Sequence, residues 1–168
     1  MKYIIILSAL LISFNVFAED NTKQAKLRQE AREFSLSVVQ TYFDEDFNKY
    51  WSFVSDTIII LPANKVIPIA DMKDALCSSL KRAIRNKDKT FQDYLDSYKV
   101  EILTKEELED MFGKPIPESA MSSDSDFFFM GNNAKESIAS FEDFIWDDFF
   151  LFLVRKVDGK WFLKGFAG

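Results

Sequence analysis

The sequence contains no histidine and only one cysteine among its 168 residues. The absence of histidine excludes Ser-His, Cys-His and His-Asp catalytic devices, and it removes the commonest metal ligand and the usual physiological pH switch. Cys77 has no partner for a disulfide within the chain, and no flanking histidine or second cysteine activates its thiol. We therefore expect Cys77 to be an inert, small, buried residue, and we expect the protein to use no cofactor.

Basic residues are also in short supply, with 21 Lys and Arg against 27 Asp and Glu. This balance argues against nucleic-acid binding, because proteins with that function concentrate basic side chains on one face. It equally disfavours docking to anionic lipid. The acidity favours solubility and the electrostatic steering of a basic partner.

Residues 1–18 combine a positive charge at Lys2, an apolar run and a small residue, Ala18, at the end. That is the three-part pattern of a secretory signal peptide. The apolar run is about a dozen residues long, whereas a membrane-spanning helix needs about 20. We predict cleavage after Ala18 and a periplasmic or secreted location. The mature chain, residues 19–168, then forms a single domain without a membrane anchor, and its 20 basic and 27 acidic side chains give a formal charge of −7.

Several segments carry helix signals. Apolar residues recur every three or four positions over residues 22–43, which predicts an amphipathic helix with Thr22 as its N-cap. Similar spacing predicts helices at about residues 47–56 and 71–86. Thr104 is followed three residues later by Glu, a capping box, so we expect a short helix that stops at Gly113.

Runs of β-branched and aromatic residues predict strands, which we place at residues 57–61, 98–103, 126–130 and 145–157. Asp158-Gly159 is typical of a two-residue hairpin turn, because both central residues of a type I′ turn need positive φ. A final strand should therefore follow the turn. Pairing outward from it sets Arg155 opposite Phe162 and Leu153 opposite Lys164.

Helices first, then a short strand and a helix, then a meander of strands predict an α+β domain with N-terminal helices packed on a curved antiparallel sheet. The helix at residues 27–42, the segment at residues 46–56 and the hairpin at residues 154–163 together resemble the nuclear transport factor 2-like superfamily, also called SnoaL-like or cystatin-like. That resemblance implies a cone-like fold with an apolar pocket. It also implies a homodimer through the sheet as one option, since the outer sheet face often forms a dimer in that family. It does not by itself identify an activity.

The candidate ligand-binding residues of such a pocket are Tyr42, Tyr50, Trp51, Trp146, Asp147 and Trp161. Enzymes of the superfamily that isomerise or dehydrate use Asp, His or Tyr within the cone. Here Tyr42 or Tyr50 with Asp147 or Asp148 would be the corresponding site. The alternative is that the two aspartates open a polar strand and the tyrosines are core residues with their hydroxyls at the surface. We assign no catalytic residue.

Two acidic clusters, residues 44–46 and 124–126, offer the oxygen ligands that calcium prefers. Neither cluster matches the calcium-loop signature of alternating Asp and Asn followed by Gly and a distant Glu. Solvated corners explain them better, so the sequence predicts no metal site.

Aromatic residues are plentiful, with 18 Phe, 5 Tyr and 3 Trp. Because consecutive residues of a strand point to opposite faces, Phe127, Phe128 and Phe129 must occupy both faces of a sheet. Core packing is the first explanation, and a ligand cavity or dimer interface is the alternative.

Three functional hypotheses remain. The first is a non-enzymatic binding module for a small apolar ligand or a protein partner. The second is an inhibitor or immunity protein whose negative charge attracts a basic toxin, and the third is a lyase- or isomerase-like pocket enzyme that uses Asp and Tyr. A pocket filled by the chain's own Phe and Trp side chains would count against the ligand-based hypotheses and would favour a protein partner.

Overall fold

The computed structural model describes residues 2–61, 65–84, 90–116, 125–133 and 150–167. Within these residues the helices and strands confirm the α+β class. In chain order they are α1 (Lys2–Phe43), α2 (Phe47–Phe53), β1 (Val54–Leu61), β2 (Lys65–Pro68), α3 (Ile69–Ile84), α4 (Phe91–Ser97), β3 (Tyr98–Leu103), α5 (Lys105–Phe112), β4 (Asp126–Asn133), β5 (Phe150–Val157) and β6 (Lys160–Ala167).

Helix α1 continues without a break through Thr22, so the prediction that Thr22 caps it is wrong. The surrounding Ala, Lys, Gln, Glu, Leu and Arg residues are strong helix formers, and their summed propensity outweighs the capping preference of one threonine. The chain divides into two compact units, Met1–Glu30 and Ala31–Gly168. Among the described helices, none combines the length and hydropathy needed to cross a membrane.

The six strands form one sheet in the order β2-β1-β6-β5-β4-β3. The pairs β1–β2, β5–β6, β4–β5 and β3–β4 are antiparallel, as expected, whereas β1 and β6 are parallel. The sheet is therefore mixed. Hairpins and meanders produce antiparallel neighbours locally, but β1 meets β6 only after more than half of the chain has intervened, and no local signal fixes that pairing.

The two faces of the sheet bury different side chains, which β4 shows most clearly. Phe127 and Phe129 lie on the face that the second unit's part of α1 covers, because Phe127 contacts Trp161, which contacts Phe34 of α1. We call this the α1 face. Phe128 and Met130 lie on the other face, the α5 face. All four side chains on β4 are 0 or 1% exposed. Core packing within one chain therefore explains the consecutive phenylalanines.

The α5 face has its own apolar core beneath helix α5. It is formed by Ile59, Leu103, Leu108, Phe128, Met130, Leu151 and Leu153, with Phe112 and Ile116 packed against it. Helix α5 begins at the predicted capping box, in which Thr104 and Glu107 bond each other's backbone N–H, and it ends at Gly113 in the left-handed conformation with φ 64°. This prediction is confirmed.

The terminal hairpin begins as predicted, with Val157 opposite Lys160 and Arg155 opposite Phe162. Beyond these pairs the predicted register is wrong, because Leu153 lies opposite Gly165 rather than Lys164. The register shifts between Leu153 and Val154 because β6 has one extra residue there, Lys164, as in a β-bulge. Glycine at position 165 allows this close packing against β1. A Cβ there would lie 2.9 Å from the carbonyl oxygen of Ile59, which is too short for a normal contact.

Candidate functional site

Three of the candidate pocket residues lie together where α1, α2 and α3 meet. Tyr42 and Tyr50 are both buried, and the Trp51 ring stands edge-on to the Tyr50 ring at 5.1 Å. The Trp51 indole Nε1 donates a hydrogen bond to the Cys77 Sγ at 3.2 Å. Lys73 places its ammonium 5.6 Å from the centre of the Trp51 ring, a cation–π contact.

The electrostatics of this group are those of a packed core. Burial raises the pKa of the Tyr50 hydroxyl well above the ordinary tyrosine value, and the nearby Cys77 thiol and Tyr42 hydroxyl raise it further. Tyr50 therefore remains a neutral hydroxyl at all physiological pH values. Cys77 is half-buried rather than buried as predicted, and its sulfur accepts the Trp51 hydrogen bond, in keeping with a packing role rather than with a reactive thiol.

Trp161 lies apart from these residues, on β6. Its ring stacks on Phe34 at 6.5 Å and contacts Phe127 at 6.1 Å. Phe34 and Tyr42 are eight positions apart on α1, which corresponds to about 12 Å along a helix. The structure therefore brings Tyr42, Tyr50 and Trp51 together but places Trp161 in a second aromatic group. Trp146 and Asp147 lie outside the described residues, as does the second aspartate of the Asp/Tyr hypothesis.

The α1 face is occupied by the chain's own rings. Phe129 and Phe152 stack at 4.7 Å, and Tyr94 and Tyr98 stack at 4.5 Å. Phe43 of α1 contacts Tyr94 at 5.5 Å. Together with the group around Trp161, these rings pack between the described helices and the sheet.

The α5 face carries a polar group next to its apolar core. Asp126 and Arg155 are direct partners in the β4–β5 register. The Arg155 Nε and Nη2 atoms donate to the two Asp126 carboxylate oxygens at 2.5 and 2.6 Å. The Asp126 side chain is fully buried. The expectation that residues 124–126 form a solvated corner is therefore wrong for Asp126, because the antiparallel register places it against a guanidinium.

Lys164 extends this group toward β1. Its ammonium donates hydrogen bonds to the Ser55 Oγ at 3.0 Å and to the Thr57 Oγ1 at 2.9 Å. Burial lowers the pKa of Lys164, and the Arg155 guanidinium lowers it further, whereas the carboxylates of Asp56 and Asp126 act in the opposite direction. We call Ser55, Thr57, Asp126, Arg155 and Lys164 the Lys164 cluster.

The acidic corner at residues 44–46 is exposed, as predicted for a solvated corner. Asp46 is also the N-cap of α2, since its carboxylate accepts the backbone N–H of Lys49 at 3.0 Å. No group of three or more potential metal ligands occurs within the described residues.

The Lys164 cluster was not predicted from the sequence. A polar Ser-x-Thr pattern precedes the apolar run of β1, and the basic pair Arg155-Lys156 interrupts the apolar residues of β5, so each strand carried a signal. No signal joins them, because Ser55 and Lys164 are 109 positions apart.

No protein-family model, curated protein or solved structure matches this chain.

Proposed function

We propose that this protein is a non-enzymatic module that binds a different protein through the α5 face of its sheet. The observation that carries this proposal is the occupation of the α1 face by the chain's own aromatic rings. A binding site for an apolar molecule in this fold would lie between the helices and the sheet. Aromatic side chains of the chain itself pack there among the described residues, and this packing favours a protein partner over an enclosed ligand.

The α5 face supports this proposal by its division into two parts. Helix α5 packs over β3 and β4 and buries the apolar core there. The Lys164 cluster lies beside that core, over β1, β6, β5 and the first residue of β4. Its members Ser55, Thr57, Arg155 and Lys164 are half-buried, as is the neighbouring Phe162. An aromatic ring next to ordered polar groups is a common composition of protein interfaces.

A second copy of this chain is a less suitable partner than a different protein. Each chain carries a formal charge of −6, or −7 without residues 1–18, so two copies repel each other at long range. We therefore propose a heterologous complex rather than the homodimer that the superfamily resemblance implies.

We also propose that the chain belongs to the nuclear transport factor 2-like superfamily and is exported to the periplasm or beyond. The support for the first point is the order of elements, with helices before a sheet that closes in an Asp-Gly hairpin. The support for the second is the pattern of residues 1–18. An intact mass that begins at Glu19 tests export, whereas a mature protein that retains Lys2 contradicts it.

A second candidate function, inhibition of a basic toxin, is favoured by one surface feature. The ring of Phe43, at the end of α1, contacts Phe91 of α4 at 5.9 Å, which places the acidic corner at residues 44–46 near α4. Asp93 and Asp96 of α4 are exposed, as is the corner itself. This acidic end would accelerate association with a basic protein at low ionic strength.

Site-specific photo-crosslinking tests the proposed function. A photoreactive amino acid replaces Phe162 on the α5 face or, as a matched control, the exposed Asn48 on α2 in the cells that produce the protein. We expect one discrete adduct from position 162 and none from position 48. Adducts that are equal from both positions, or an adduct with the mass of two copies of this chain, would contradict binding of a different protein at this face.

A further inference from the structure

The Lys164 cluster has more hydrogen-bond donors than acceptors. A lysine ammonium has three N–H donors and no acceptor. Two of them go to the hydroxyl oxygens of Ser55 and Thr57, so each hydroxyl retains its own hydrogen for donation. Within the described residues, these two hydrogens and the third ammonium N–H meet no acceptor.

The acidic side chains near Lys164 do not supply that acceptor. Asp126 accepts both of its described ion-pair bonds from Arg155. Asp56 lies between Ser55 and Thr57 on β1, and it is exposed while its two neighbours are half-buried and reach Lys164. Each of these carboxylates influences Lys164 electrostatically without a hydrogen bond to its ammonium.

The cluster is also held in a fixed arrangement. The Asp126–Arg155 pair locks two neighbouring strands in register at one side of Lys164. On the other side, Ser55 and Thr57 are two residues apart on one strand, so they share a face. Donors that are fixed on strands and half-buried need little reorganisation to meet an incoming acceptor.

We propose that the Lys164 cluster binds a carboxylate, with the Lys164 ammonium and the hydroxyls of Ser55 and Thr57 as the three donors. This inference rests on the proposed function, and it identifies the carboxylate as an Asp or Glu side chain of the protein partner. A carboxylate fits because one ammonium remains without an acceptor while Arg155 is already paired with Asp126. A more highly charged group such as phosphate would exceed the single unpaired positive charge.

An NMR titration of the full chain with acetate tests the site. The probe is the ¹³Cε resonance of each lysine, observed at constant ionic strength with chloride as the reference anion. We expect a saturable shift at Lys164 in the millimolar range and no saturable shift at Lys160, an exposed lysine on the same strand. The Thr57→Val and Ser55→Ala variants, which keep the strand but lose a hydroxyl, should each weaken acetate binding several-fold.

Two outcomes would overturn the inference. One is a Lys164 resonance that shifts no more than that of Lys160. The other is inorganic phosphate that binds Lys164 more than tenfold tighter than acetate, which would assign the site to a different anion.

The titration and the crosslinking experiment distinguish a failure of carboxylate binding from a failure of protein binding. If Phe162 forms its adduct but acetate fails to bind, the carboxylate assignment fails and protein binding stands. If acetate binds but position 162 forms no adduct, the site is real and the protein-binding function fails. If both hold, Lys164→Gln should remove the adduct from position 162, and Lys160→Gln should leave it intact.

Discussion

Arg155 and Asp126 stand directly opposite each other on β5 and β4, and both oxygens of the carboxylate contact the guanidinium. The Asp126 side chain is fully buried and Arg155 is 14% exposed. Such a bidentate pair has a fixed geometry as well as a favourable charge interaction. It therefore fixes the β4–β5 register and holds one side of the Lys164 cluster in place.

Asp126→Asn should destabilise the fold by about 3 kcal/mol, because it leaves a largely buried guanidinium without its counter-charge. The more accessible pair of exposed Lys99 and half-buried Glu101 gives a control, and Glu101→Gln should cost less than about 1 kcal/mol. Urea unfolding of both variants measures the difference. Equal losses would show that the Asp126–Arg155 pair contributes no more than a surface ion pair.

Gly131→Ala should destabilise the protein by about 2 kcal/mol, because the added methyl would collide with the Tyr94 hydroxyl oxygen. Tyr94→Phe removes that oxygen, so the double variant should recover much of the loss. A thermal-unfolding double-mutant cycle measures this coupling. Gly113→Ala, at a position with open space but positive φ, should cost about 1 kcal/mol and show no such recovery. Strict additivity of Gly131→Ala and Tyr94→Phe would contradict the proposed contact.

Local sequence signals predicted much of the fold, and the exceptions share a physical cause. The α5 capping box and the start of the hairpin depend on residues within a few positions of each other, so their patterns were sufficient. The register beyond Val154 was not predicted, because the pairing skips Lys164 and sets Gly165 close to Ile59, a contact that depends on the parallel β1–β6 pairing. The Lys164 cluster depends on the same pairing, so no local pattern contains it.

Helix α4 was not predicted from the sequence, although the signal for its start is local. Thr90 and Asp93 form a reciprocal capping box, the same device that identified α5. The sequence predicted the strand that follows, at residues 98–103, but no element was assigned to residues 90–97.

Thr90→Ala should therefore destabilise the protein by about 1 kcal/mol, since it removes the acceptor for the Asp93 backbone N–H. Thr90→Ser retains the hydroxyl and should cost only a few tenths of that amount. Guanidinium unfolding curves compare the two variants. Indistinguishable curves for Ala and Ser would show that the box contributes nothing to stability.

The burial of Tyr50 predicts a loss of stability at alkaline pH. Its pKa is raised in the folded state, so its stabilising contribution is complete below the unfolded tyrosine pKa of about 10 and decreases as pH rises above it. Tyr50→Phe should make the free energy of unfolding decrease less steeply above that pH. The raised pKa of Tyr94 and the lowered pKa of Lys164 affect both proteins alike, so they cancel in the comparison. Parallel pH profiles for the wild type and the variant would contradict a buried Tyr50.

The packing of the chain's own rings on the α1 face predicts that no apolar ligand binds there. Titration of the folded protein with the apolar dye phenylnaphthylamine, followed by energy transfer from tryptophan, is the decisive measurement, because Trp161 lies within that packing. We expect no saturable signal at micromolar dye. A stoichiometric, saturable signal that disappears in Trp161→Phe, with the fold of that variant intact by circular dichroism, would contradict this prediction.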